Sequence, residues 1–531
     1  MATIRLTLSP SGRVIEAAEG VTVYDALLRA GVPFDAPCGG RGVCGRCRVV
    51  ASGGLDEPGP QERRTLGALL EQGWRLACVA RLAGDATVEL ADETAQAASE
   101  GGPRPGSLRL GLAVDLGTTS IAVALVDLSD GSTLAGAALL NPQAAHGADV
   151  LSRVSHAADP GGLAELSELA RRGVEACAAA AALKAGVGVD RVSHVAVAGN
   201  TVMLHLFAAE DPSGLGTAPY RPAFLERRTL PAGTLPAMPQ ADVELLPGAA
   251  AFLGADAIAG ALSTRVASPG MGASAGSAVY VDVGTNGEIV LSAGGRLFGA
   301  SAAAGPAFEG VGTSFGMRAV NGAIDRADLA GGDLSVHVIG GGSPVGLCGT
   351  GALDVLAAAR RARVLDTSGR MLESQPGPMG ARVREGEHGL ELFVAEGAGQ
   401  PVTVTQLDVR ALQLAKGAVA AAIELLLGRA GLPASDVTRI VLAGAFGAGL
   451  RPATATELGL LPSAWTGRFE SAGNAALKGA IAALSRPGFA DSADAVAAAV
   501  ETIDLAADLA FNDTFMRALA LEPFEGPRGA V

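Results

Sequence analysis

The feature that most constrains this chain is the pattern Cys38-x5-Cys44-x2-Cys47 followed by Cys78, which takes up four of the six cysteines in 531 residues. It places three thiolates on one loop and a fourth on a distant segment, enough to hold a cluster of two irons. The loop between Cys38 and Cys47 is rich in glycine, which lets backbone wrap closely around a cluster and turn its amides toward the sulfurs. Two other readings of these residues stand beside this one: a four-cysteine zinc site, and cysteines that merely share a core. Zinc sites usually come as two Cys-x2-Cys pairs, and one such pair is present. Cys177 and Cys348 stand alone and read as small buried apolar residues.

A chain of this length exceeds what one hydrophobic core supports, so several domains are expected. Hydrophobic residues make up 49% and charged residues 18%, the balance of a well-buried globular protein. A net charge of -14 argues against nucleic acid as the main partner, because phosphate backbones are bound through clustered Lys and Arg. Cysteines gathered in one region fit a metal site in a reducing compartment better than a disulfide framework. The start, Met1 to Leu6, reads as a first strand and not as an export signal. The longest apolar run, around Ala418 to Leu427, is broken by Lys416 and Glu424. A cytoplasmic protein with no membrane segment is expected. Residues 1–92 read as one module, with a hairpin over 3–8 and 13–16, a helix over Val23 to Ala30, and strands at Arg46 to Ala51 and Ala86 to Leu90. Residues 93–107, with Gly101-Gly102-Pro103-Arg104-Pro105-Gly106, read as a linker, and 108–206 and 207–531 as two further domains.

Two later stretches share one form: apolar strand, Asp, x, Gly, Thr, polar residue, apolar strand. The first runs from Leu110 to Val123 and the second from Ala278 to Val290, a sign of internal duplication and of two similar domains facing each other across a cleft. By chemical logic each Asp-x-Gly-Thr turn is a phosphate grip, with amides and hydroxyls pointed at oxygen, and Asp115 and Asp282 can each anchor a hydrated Mg2+. One such turn alone is equally an ordinary hairpin. The case strengthens with a strand running into Gly444-Ala445-Phe446-Gly447, where small residues can bring backbone flat against an adenosine. No Gly-x4-Gly-Lys-Ser/Thr occurs, which excludes the P-loop class.

This arrangement resembles the ATPase superfamily of actin, sugar kinases, acetate kinase and Hsp70. The resemblance implies ATP and Mg2+ as cofactors, phosphate contacts from Asp115, Gly117, Thr118 and Thr119 and from Asp282, Gly284, Thr285 and Asn286, and adenosine contacts from Gly444 and Gly447. It also implies connecting helices at Gly254 to Leu262 and Gly473 to Ala480. The cysteine spacing is similar to that of adrenodoxin-like ferredoxins, one residue longer than the plant type, which leaves the cluster potential open. Joined in one chain, the two modules resemble the reductive activators of corrinoid proteins. Asn141-Pro142-Gln143, Gly199 to Leu206, Ala304 to Gly310 and Gly346 to Gly351 carry that resemblance further.

The fold so implied is α/β and α+β multidomain: an N-terminal β-grasp 2Fe-2S ferredoxin, a linker, then two actin-like (ribonuclease H-like) α/β ATPase domains. The activity implied is the ATP-dependent return of a Co(II) corrinoid to Co(I), with one electron passed from the 2Fe-2S cluster, for methyl transfer. A corrinoid protein, a low-potential electron donor and a homodimer come with it as partners. ATP binding or hydrolysis is then expected to change the cleft and the docked complex, and with them the cobalt ligation. On the same resemblance Gln143 and Asn200 line the phosphate cleft, and Asp115 positions the metal. Glu309 is a water-activating base or a supporting carboxylate, and reads equally as a surface carboxylate on a glycine turn. His205 faces the corrinoid or caps a core helix.

A nucleotide-gated electron-transfer or regulatory protein without ATP turnover, or an activator of another low-potential metalloenzyme, would carry the same motifs. The complete four-cysteine set, and the lack of a C-terminal cysteine cluster, count against the 4Fe-4S activators of 2-hydroxyacyl-CoA dehydratases and of methylamine methyltransferases. A plain sugar or acetate kinase would have no use for residues 1–92.

Overall fold

In the computed structural model, described for residues 3–9, 13–30, 47–89, 109–147, 149–270, 276–373, 375–387, 389–397 and 399–527, the chain divides into two compact units. The first comprises Met1–Asp256 and Gly479–Ala490, the second Ala257–Lys478 and Asp491–Val531. Cys38, Cys44 and the linker expected over 93–107 lie outside the described residues.

The first unit opens with the ferredoxin module. Strands β1 (Thr3–Ser9) and β2 (Arg13–Ala18) form the expected antiparallel hairpin, with Leu6 opposite Ile15. Helix α1 (Val23–Arg29), β3 (Arg48–Leu55), α2 (Pro60–Leu66), β4 (Trp74–Leu76) and β5 (Leu82–Glu89) complete it. The sheet order is β2-β1-β5-β3-β4, and β1 and β5 run parallel. Alternation along β1 sends Ile4, Leu6 and Leu8 inward, where they pack with Val23, Leu27, Leu76, Leu82 and Val88.

The rest of the first unit is built on β6 (Leu110–Leu116), β7 (Ser120–Asp127) and β8 (Thr133–Leu140), an antiparallel meander. Helices α3 (Val150–Ala157) and α4 (Gly162–Ala185) follow, and then β9 (Val192–Gly199), α5 (Thr201–Ala208), β10 (Arg228–Leu230) and β11 (Asp242–Leu245). The sheet order is β10-β11-β9-β6-β7-β8, with β9 parallel to β6 and β11 parallel to β9. This corrects the boundary expected at 206/207. Strands β10 and β11 hydrogen-bond onto the edge of the same sheet, so the domain expected over 108–206 continues to Asp256 and is joined by residues 479–490. Polar Arg228, Thr229 and Glu244 hide this edge pair from hydrophobic pattern reading.

The chain passes into the second unit within α6 (Ala255–Ser263). Strands β12 (Ser277–Val283), β13 (Gly287–Ala293) and β14 (Arg296–Ala302) form a second meander, followed by a three-stranded sheet of β15 (Ala323–Ala330), β16 (Asp333–Val338) and β17 (Gly346–Leu347). After α7 (Gly349–Arg361) come β18 (Val383–Gly386), β19 (Gly389–Ala395) and β20 (Val402–Thr405), another small sheet, and α8 (Gln406–Ala430). Then follow β21 (Val437–Ala443), α9 (Gly444–Gly449), α10 (Pro452–Glu457) and β22 (Phe469–Gly473). Helix α11 (Ala475–Ser485) returns to the first unit, α12 (Phe489–Ala499) leads back, and β23 (Val500–Thr502) and α13 (Phe511–Ala518) close the chain. The large sheet is ordered β22-β21-β12-β13-β14-β23, with β21 parallel to β12 and β22 parallel to β21. Its first five strands, β22-β21-β12-β13-β14, repeat the order and directions of β11-β9-β6-β7-β8, so the duplication read from two turns extends over a whole sheet. Two of the crossings between units fall within α6 and α11, the positions expected for connecting helices.

Helix α8 is long and apolar enough to cross a membrane by length and composition, but 72% of its most apolar stretch is buried inside the fold, against β13 and β14. It carries Lys416, 1% exposed, whose ammonium donates to the carbonyls of Gly459 and Ala520. Burial pushes its pKa down to about 7, with Glu522 opposing. The unfolded chain therefore holds a proton that the folded chain releases between about pH 7 and the ordinary lysine range, and stability rises with pH across that window. The full effect is on the order of 5 kcal/mol, at about 1.4 kcal/mol per pKa unit. The urea midpoint of the wild type is expected to be higher at pH 9 than at pH 7, and Lys416→Met to flatten that rise. An equal rise in both proteins would assign it to other groups.

Candidate functional site

The two described cysteines of the N-terminal set converge. Antiparallel pairing of Arg48 with Leu76 continues one step further as Ala77 N–H donates to Cys47 O at 2.7 Å, which brings the residue before β3 beside the turn after β4. Cys47 and Cys78, 31 residues apart, end with their sulfurs 3.0 Å from each other, both buried. The turn is held on two sides. Val23 N–H donates to Ala80 O and Tyr24 N–H to Ala77 O, while buried Glu62 accepts from Leu76 N–H and from both Nε and Nη2 of Arg75. Two thiols aimed at one point, in a core of leucine and valine, fit a pair of ligands to one iron, the chemistry expected of Cys38, Cys44, Cys47 and Cys78 together.

The first Asp-x-Gly-Thr sequence is the turn between β6 and β7, closed by Gly117 N–H donating to Ser120 O at 3.0 Å. A side chain at Gly117 would stand 2.7 Å from that oxygen, so the tight turn requires glycine. Asp115 lies on the last turn-proximal stretch of β6, paired with Ala122. Behind the turn lies a buried polar brace. Asn141 Nδ2 donates to Gly117 O, Asn141 N–H to Thr119 O, and Asn200 Nδ2 to Thr118 Oγ1. Asn200 also caps α5 by accepting from Met203 N–H. Arg153, fully buried on α3, donates to Thr118 O, Gly147 O and Gln143 Oε1. Burial pushes its guanidinium down to about 10, still a cation at neutral pH. Gln143, also fully buried, spends its Nε2 on Leu166 O. The expectation that Gln143 lines the cleft thus becomes a role in the brace. Arg153 escaped sequence reading because an arginine in a polar helix ordinarily faces water.

The second sequence forms the turn between β12 and β13, where Gly284 N–H donates to Asn286 O at 2.8 Å. Asp282 accepts from the Tyr280 hydroxyl at 2.8 Å. Burial pushes its carboxyl up to about 6, against the lowering effect of that bond. Glu309, at the end of a short 3-10 turn from Pro306, accepts from Thr285 Oγ1 at 3.2 Å. Gly444 crosses directly over Asp282: its φ is +76°, and a side chain there would meet Asp282 Oδ1 at 2.5 Å. Gly447 follows within α9, and Phe446 stacks on Phe308 at 4.5 Å. Asp282, Gly284, Thr285, Glu309 and Gly444 are thereby gathered at one place within the second unit, with Asn286 on the turn itself.

Three other residues resolve toward packing. His205 is fully buried, with Nδ1 bonded to Thr201 O, Nε2 accepting from Ala223 N–H, and its ring stacked on Phe224. It is a core histidine and does not face a partner. Cys177 is buried in α4, and burial pushes its thiol up to about 12. Cys348 is buried beside the Thr350 hydroxyl at the start of α7.

Family models match along nearly the whole chain. One described as a 2Fe-2S iron-sulfur cluster binding domain covers residues 6–83, the RACo middle region covers 110–268, and the C-terminal domain of RACo, the ASKHA domain, covers 277–526. The chain is 33% identical over 417 residues to the corrinoid activation enzyme RamQ of Eubacterium limosum, spanning 76% of this chain and 69% of that protein. It is 26% identical over 386 residues to a Co(II) methylated amine-specific corrinoid protein reductase of Methanosarcina barkeri, spanning 66% of each. A solved structure of a reductive activator for corrinoid, iron-sulfur protein superposes with a TM-score of 0.71 at 28% identity over 98% of both chains.

Proposed function

The chain belongs to the family of reductive activators of corrinoid proteins, and from that premise we propose that it reduces the Co(II) corrinoid of a partner protein to Co(I) in an ATP-dependent reaction. The observation that carries this reading is the union, in one chain, of a ferredoxin module whose Cys47 and Cys78 converge and a duplicated ATPase fold with two phosphate turns. A 2Fe-2S cluster on Cys38, Cys44, Cys47 and Cys78, when bound, supplies one electron at a time. The buried setting of Cys47 and Cys78 keeps water from two of the sulfurs, and the hydrogen bonds at Cys47 O and Leu76 N–H fix the turn that presents them.

Nucleotide is needed because Co(I) is a strong reductant and the electron must climb. Each 59 mV of one-electron mismatch is a factor of ten, so a gap of about 100–200 mV costs roughly 2–5 kcal/mol. The Asp115 and Asp282 turns are the proposed grips for MgATP, with Thr118, Thr119, Gly284, Thr285 and Asn286 supplying amides and hydroxyls and Gly444 and Gly447 the adenosine contact. Arg153, Asn141 and Asn200 hold the first turn in shape from behind. Glu309, which accepts from Thr285, is the proposed water-orienting carboxylate. An external low-potential donor in the reducing cytoplasm restores the electron.

The test is anaerobic: the reduced protein is mixed with a Co(II) corrinoid protein of the same cell, and the Co(I) absorbance is followed with and without MgATP. Co(I) rising only with MgATP is expected. Equal activation without nucleotide would refute the coupling, and no Co(I) with any corrinoid protein of the cell would refute the activity.

A further inference from the structure

A second cluster of ligand-type side chains lies in the first unit, away from the cysteines and outside the phosphate turn. His146 follows the 3-10 turn Pro142–Ala145, His156 sits in the last turn of α3, and Glu165 in the first turn of α4. Their candidate ligand atoms lie within 4.8 Å of one another. Glu165 bridges the pair: Oε2 is 3.0 Å from His156 Nε2 and Oε1 is 3.5 Å from His146 Nε2. The two imidazoles stack at 4.4 Å between centroids and 29° between planes, and both present Nε2 toward the same carboxylate. On its other side His156 turns Nδ1 toward Asp159 Oδ2 at 3.7 Å.

We infer that His146, His156 and Glu165 form a binding site for one divalent transition-metal ion of the zinc class. Donors held about 2.0–2.2 Å from a tetrahedral ion stand roughly 3.3–3.6 Å apart. Of the two histidine–carboxylate spacings, 3.0 Å falls just below that range and 3.5 Å within it, and all candidate atoms stay within 4.8 Å, so small side-chain adjustments bring the three onto one ion. Imidazole nitrogen with a carboxylate oxygen is the donor set that zinc and its neighbours prefer over Mg2+ or Ca2+. A carboxylate behind the far nitrogen of a ligating histidine is the usual means of fixing its ring, and Asp159 stands on that side of His156. The two rings keep about a quarter of their side-chain surface exposed and Glu165 about half, so an ion enters from solvent and keeps a water as fourth ligand.

The placement gives the ion a structural consequence. The 140s turn carries Asn141 and Gln143, and α3 carries Arg153, the groups that brace the first phosphate turn. A metal on His146, His156 and Glu165 ties that turn, the end of α3 and the start of α4 together, and so fastens the brace from its outer side.

X-ray absorption at the zinc edge, on the full-length protein with its cluster intact and one equivalent of Zn2+, is expected to show two imidazole nitrogens, oxygen and no sulfur. A sulfur shell would place the ion on the cysteines and overturn the assignment, as would failure to take up Zn2+ saturably. By calorimetry, joint His146→Ala and His156→Ala substitution is expected to weaken Zn2+ binding by at least about 100-fold, since even loss of an outer supporting group costs about 10–100-fold. The visible spectrum of the cluster serves as the folding control. Equal affinity in variant and wild type would likewise overturn the site.

Discussion

A Cys47→Ala protein is expected to assemble no stable 2Fe-2S cluster, to lose the visible absorption and the EPR signal of the reduced state, and to form Co(I) only at background rate. Cys47 is fully buried, and its sulfur meets that of Cys78 at 3.0 Å, so its loss removes one of two converging thiols. The substitution deletes one buried sulfur, and far-UV circular dichroism of the variant separates loss of ligation from loss of fold. ATP turnover by the two later domains is expected to persist. Cys177→Ala is the matched control: its thiol is buried in α4 and pushed up to about 12, and its loss is expected to leave the cluster untouched. Iron and acid-labile sulfide analysis of the wild type settles the cluster, with two irons per chain expected. Wild-type cluster content in Cys47→Ala would show that the four-cysteine assignment is wrong.

The second large effect is expected at Gly444. Alanine there must adopt a φ of +76°, which costs an L-residue about 1–2 kcal/mol, and its Cβ would press to 2.5 Å from Asp282 Oδ1 and 3.3 Å from Val283 O. Asp282 is tied to the Tyr280 hydroxyl, so it cannot retreat without breaking that bond. Gly444→Ala is therefore expected to lower ATP affinity at least about tenfold and to slow nucleotide-dependent Co(I) formation, while the cluster spectrum stays unchanged. Fluorescent-nucleotide titration gives the affinity, and the melting temperature of the nucleotide-free protein separates loss of binding from loss of fold. Unchanged affinity in a folded variant would remove Gly444 and the Asp282 turn from the nucleotide site.

Much of this architecture was legible because its signals are local. A ferredoxin loop declares itself through cysteine spacing, and a hairpin through apolar strands around a glycine turn. The twin turns at Asp115 and Asp282 are short-range patterns, and each did form a hairpin. The boundary at 206/207 failed for the opposite reason. Whether β10 and β11 join the sheet of β9 depends on pairing with a strand far back in the chain, and their own composition is silent on it. The place of Gln143, and the choice between the two readings of His205, stayed open in the sequence for the same reason. A polar residue in an apolar or glycine-rich stretch reads as a ligand group until its partners are known, and here Leu166 O, Arg153, Thr201 O and Ala223 N–H take up those polar atoms.

By itself the sequence determined the order of modules, the four-cysteine set, the duplication and the two Asp-x-Gly-Thr turns, since each rests on residues adjacent along the chain. Only the tertiary structure decided that Arg153 lies buried behind Thr118, that Glu309 reaches Thr285, that Gly444 crosses Asp282 and that His146, His156 and Glu165 meet. Those pairings join residues up to 162 positions apart. Parallel strand pairing and the burial of helix faces bring such residues together, and the free energy that selects those contacts belongs to the packed core as a whole and is written in no single segment.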